Sequence, residues 1–94
     1  MDQMPLIELL EAFHQFPGPY MFKAIGRVEN GFIARVVAAV RDELAFAADP
    51  PYRVRQAVGG RHVSVTLEPT LQTPHQVLAV YRRLRGISGV VVLL

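Results

Sequence analysis

The chain has 94 residues, of which 51% are hydrophobic, with seven glycines, seven prolines, no cysteine and no tryptophan. That length makes one domain around one modest core, and the composition is far from the low-hydrophobicity, high-charge signature of disorder. Without cysteine there is no disulfide framework, no thiolate metal site and no cysteine nucleophile, and no segment reaches the roughly 20 apolar residues of a membrane span. Asp2, Glu8 and Glu11 in the first apolar stretch argue against a secretory signal, so a cytoplasmic protein is expected.

The net charge of +2 is unevenly spread. Residues 1–49 carry seven acids against Lys23, Arg27, Arg35 and Arg41, a net of −3, whereas residues 50–94 carry six arginines against Glu68, a net of +5. Nine of the ten bases are arginine, a side chain suited to planar, bidentate contact with carboxylate or phosphate.

In chain order, residues 1–18 read as a leader and residues 19–94 as a single domain. Leu6, Ile7, Leu9, Leu10 and Phe13, broken by Glu8 and Glu11, predict a short amphipathic helix that stops before Pro17-Gly18-Pro19. Tyr20 to Ile25 reads as a strand, with Gly26 closing it. Asn30 is the expected N-cap of a helix running to about Ala45, with Phe32, Val36, Val40 and Leu44 recurring every four residues. Tyr52 to Val58 alternates tyrosine and valine with arginine, the pattern of a half-buried strand. Gly59-Gly60 marks a two-residue hairpin, and Arg61 to Glu68 is the partner strand. Thr73-Pro74-His75-Gln76 opens a helix with a capping threonine, a proline at the first helical position and a glutamine at the third. Val77, Leu78, Val80, Tyr81 and Leu84 face inward there, Arg82, Arg83 and Arg85 suit the negative end of the helix dipole, and Gly86 is the stop. Val90 to Leu94 is a final strand.

The order after the leader is strand, helix, strand, strand, helix, strand. It predicts an α+β, ferredoxin-like βαββαβ sandwich: a four-stranded antiparallel sheet with two helices on one face and the other face bare.

Several motifs resemble one family. Phe16-Pro17-Gly18-Pro19-Tyr20-Met21-Phe22-Lys23-Ala24-Ile25-Gly26 is similar to the FP-x-P-aromatic-x-x-K-x-x-G opening of the YbeD-like family of small bacterial proteins. Arg55 stands five residues before Gly60, and Gly60-x-x-x-Ser64-Val65-Thr66 is similar to that family's glycine-to-SVT spacing. Tyr81-x-x-Leu84 and the valine-rich final strand continue the likeness, which spans roughly residues 10–94. Ala57 and His62 depart from it, standing where the family usually has serine and tyrosine. The resemblance implies a ferredoxin-like fold similar to the ACT regulatory domains, which bind small molecules and pair through their sheets. It implies no activity and no cofactor.

Catalytic machinery is not expected. His62 and Ser64 share a strand face, yet no acid is placed in sequence to orient the histidine. His14, His62 and His75 lack the spacing of a helical or finger-type zinc site, and Gly59-Gly60 lies between strands, where it cannot cradle a phosphate as a P-loop does. RNA binding ranks low, because the third strand offers His62, Ser64 and Thr66 where RNA-recognition motifs carry stacking aromatics. Strand alternation places Lys23, Arg55 and Ser64, with His62, on the bare sheet face, where they form a candidate site for a small anionic metabolite. The competing reading is a protein interaction module without a ligand. The last strand is apolar on both sides at a sheet edge, so cover by the leader or by a second copy is expected, and a homodimer through the open face or an edge strand is favoured.

Overall fold

The structure, a computed structural model, describes residues 5–94. Its elements are α1 (Ile7–Phe13), β1 (Gly18–Pro19), β2 (Phe22–Arg27), α2 (Phe32–Glu43), β3 (Tyr52–Gln56), β4 (His62–Leu67), β5 (Thr70–Leu71), α3 (Pro74–Arg85) and β6 (Val90–Leu93). The α+β expectation holds. A four-stranded antiparallel sheet has the order β3-β4-β2-β6, and a second sheet, absent from the sequence reading, pairs β1 with β5.

The core follows from the two periodicities. Phe22 and Ala24 on β2 alternate with Lys23 and Ile25, as Val63 and Val65 on β4 do with His62, Ser64 and Thr66, and pack with Leu67 against Phe32, Val36, Val37 and Val40 of α2 and Val77, Val80 and Leu84 of α3. On α3 the Thr73 hydroxyl accepts from the Gln76 N–H at 3.3 Å, the expected cap, while the Gln76 side chain accepts from the Gln72 N–H at 2.6 Å.

Several boundaries differ from the sequence reading, each for a local reason. The first long strand begins at Phe22, because Gly18 and Pro19 pair with Leu71 and Thr70 and the Tyr20 N–H donates to the Pro69 carbonyl at 3.0 Å. Gly26 does not close that strand but lies within it, under the Phe32 ring, where a Cβ would sit 2.6 Å from the Gly89 carbonyl oxygen. Asn30 is not the cap of α2. Asn30 and Gly31 both adopt left-handed backbone, Gly31 takes the N-cap position, and no side chain caps the helix. At the other end α2 stops at Glu43. Ala45 is left-handed at φ 57, its N–H donates to the Asp42 carbonyl at 3.2 Å, and the Phe46 N–H donates to the Arg41 carbonyl at 2.9 Å, a Schellman closure with alanine where glycine is usual. Gly86 ends α3 without a left-handed turn.

The hairpin loop is longer than two residues. Ala57 N–H donates to the His62 carbonyl at 2.9 Å, so Val58 to Arg61 form the connection, with Gly59 and Gly60 both at positive φ. β3 is exposed along its whole length, not half-buried: Tyr52 keeps 46% and Val54 43% of their surface. Alternation sets which face a side chain takes, but α2 packs over β2 and β4 and does not extend over this edge strand.

Candidate functional site

The sheet face opposite α2 and α3 is left uncovered by any helix among the described residues, and register decides what meets there. Thr66 pairs with Lys23 on one side and Arg53 on the other, and Ser64 pairs with Ile25 and Arg55. Lys23, Arg53, Val54, Arg55, Ser64 and Thr66 line one depression of about 340 Å³. Three of the four residues singled out by sequence, Lys23, Arg55 and Ser64, therefore meet. His62 does not join them. It pairs with Arg27 one step further along β4, about 7 Å away by strand geometry, and lines a separate depression of about 520 Å³ with Arg27, Glu29 and Arg61.

Charge on this face is only partly compensated. Arg53 donates to Glu68 at 2.9 Å, whereas Lys23, Arg55, Arg27 and Arg61 have no ion pair among the described residues. The depression thus has two free cations flanking two hydroxyls, a donor set that matches a carboxylate or phosphate. Three other arginines serve structure. Arg83 donates to Glu43 at 2.9 Å and ties α3 to α2, Arg41 bridges Asp42 and Asp49, and Arg35 donates to the carbonyls of Asn30 and Ser88 at 2.9 and 2.8 Å.

The remaining chemistry-bearing groups lie apart from this face. Tyr20 and Tyr81 share a 3.3 Å hydroxyl hydrogen bond beside Phe22 and His14, and burial first, then that bond, pushes the Tyr81 phenol above its ordinary range. The described residues hold no group of three or more His, Cys, Asp or Glu side chains arranged for a metal ion, and none of their helices is long and apolar enough to cross a membrane.

Two features escaped the sequence reading. The uncovered flank of β3 leaves an apolar groove of about 410 Å³ lined by Val28, Phe32, Ile33, Tyr52 and Val63. The leader helix α1 packs on α3 and buries Leu10, while Leu6, Leu9 and Phe13 stay exposed, as do Val91, Val92 and Leu94 of the last strand. Neither was legible, because both depend on where helices end relative to the sheet.

The comparisons with known proteins agree with the motifs. A family model described as a protein of unknown function, DUF493, matches residues 11–94. UPF0250 proteins of Shewanella sp. strains ANA-3 and MR-4 are each 30% identical over 76 residues, covering 81% of this chain and 84% of the relative. The chain therefore belongs to the DUF493 family, the YbeD-like group of small bacterial proteins of unknown function.

Proposed function

We propose that this chain is a non-catalytic, cytoplasmic binding domain of ferredoxin-like, ACT-like design that takes a small anionic metabolite on its open sheet face and acts as a regulatory module. The strand order, with β2 and β4 central and β3 and β6 at the edges, supports the fold assignment. One observation carries the ligand reading: Lys23 and Arg55 flank Ser64 and Thr66 in a single depression, while Glu68 draws Arg53 aside. A protein-docking role is the second reading, favoured by the exposed Leu6 before α1 and the exposed Leu9 and Phe13 on it.

A thermal-shift series with inorganic phosphate, citrate and short dicarboxylates tests the first reading. A ligand at about tenfold its Kd adds about 1.4 kcal/mol, a rise of roughly 6–11 °C for a domain of this size. Phosphate and citrate also stabilise proteins generally through exclusion from their surfaces, so only the part of the shift lost in Lys23→Ala and Arg55→Ala counts. Glu68→Gln, which frees Arg53, should enlarge that part. If no anion gives a shift that the two alanine variants remove, the site does not exist.

A further inference from the structure

We propose that two copies of this chain join edge to edge through β6, antiparallel about a two-fold axis, to form one continuous eight-stranded sheet. The backbone supplies the first argument. Lys23 and Leu94 exchange both hydrogen bonds, at 3.0 and 2.8 Å, so the peptide groups of Leu94 point into the sheet. By antiparallel alternation, the N–H and C=O of Leu93, paired with Ala24, point out along the free edge. Such an edge is a template for another strand.

The two edges of the sheet are treated differently. β3 follows Pro50 and Pro51 and carries Arg53 and Arg55, devices that discourage pairing. Val90 to Leu94 contains no charged side chain, no proline and no glycine, and Val91, Val92 and Leu94 keep 57%, 40% and 61% of their surface. α1 packs on α3, and Val91, Val92 and Leu94 stay exposed with it in place.

For a second copy, charge selects this edge over the open face. Face-to-face pairing of two open sheets would bring Lys23, Arg27 and Arg55 of both copies together, whereas β6 has no charged side chain to set against its own image. The register shift between Ile25 and Gly26 places one extra residue, Val91, in β6, so the regular edge is short. A short edge buries little area, which places the dimer among weak, transient associations. A two-fold axis normal to the sheet sets both open faces on the same side of the dimer.

Sedimentation equilibrium over about 5–500 µM, combined with amide exchange, tests this. The expected result is a monomer–dimer equilibrium, with the Leu93 amide gaining protection as concentration rises. Val91→Lys and Val92→Lys, both at exposed positions, should weaken dimerisation at least tenfold while keeping the melting temperature of the dilute monomer. Arg55→Glu should leave it unchanged. A monomer across the whole range overturns the proposal. So does a dimer that survives both lysine variants, or one that Arg55→Glu strengthens, which would place the contact on the open face. None of these outcomes depends on whether the anion site exists.

Discussion

Replacing Gly26 by alanine probes how β2, α2 and the approach to β6 are locked together. Gly26 lies within β2 directly beneath the Phe32 ring, and Phe32 is buried to within 2% of its surface. An added Cβ overlaps that ring and falls 2.6 Å from the Gly89 carbonyl oxygen, which accepts the Arg27 N–H at 3.2 Å. Neither neighbour is a flexible side-chain end: one is a core aromatic and the other is backbone at a residue with φ 99. Overpacking of a well-filled core costs about 1–3 kcal/mol, and the backbone contact puts this case in the upper half, about 2–3 kcal/mol. A 94-residue domain has roughly 5–14 kcal/mol in total, so the loss is a sizeable fraction of it. The melting temperature should fall by roughly 10–20 °C, followed by circular dichroism and checked by urea unfolding. The clash is relieved by shrinking its partner, so Phe32→Leu in the alanine background should recover at least about 1 kcal/mol relative to additivity of the two single changes. A Gly26→Ala protein that melts within about 2 °C of the parent, or strict additivity in the cycle, would refute the close approach of Phe32 to β2.

Two further predictions concern the rims of the fold. Ala45→Gly should raise stability by about 0.5–1 kcal/mol, because relief of left-handed strain outweighs the added entropy of glycine in the unfolded chain; thermal melting that stays level or falls would contradict the Schellman closure. The Tyr81 phenol titrates higher in the folded chain than the ordinary value of 10.0, so folding favours its neutral form. Its contribution is intact below about pH 10 and declines above it, as the unfolded state loses the proton first. The stability of the parent relative to Tyr81→Phe should therefore be lower at about pH 11 than at about pH 8, and a difference that does not change with pH would exclude the effect.

Local chemistry was legible in the sequence wherever it is self-contained. Thr73-Pro74-His75-Gln76 opens a helix because its cap is satisfied within four residues, and alternation correctly assigned Phe22 and Ala24 to one face and Lys23 to the other. The same period of two put Lys23, Arg55 and Ser64 on one face; the hairpin set Arg55 against Ser64, and the β2–β4 pairing brought Lys23 beside them in one depression. His62 shares their face but not their site, because the face extends over several strand steps and proximity along it depends on pairing, which residue types do not reveal.

What the chain alone determined, then, is the alternation of elements, the identity of the core faces and the segregation of charge. Tertiary structure decided coverage. Tyr52 and Val54 look like core residues until α2 ends short of β3, Gly26 looks like a stop until Phe32 settles on it, and the leader looks like a lid for β6 until Leu10 buries against α3. Periodicity is a property of one element and can be read from its own residues. Burial is a relation between elements, fixed by their lengths, their crossing and the space left between them, and that relation exists only in the folded chain.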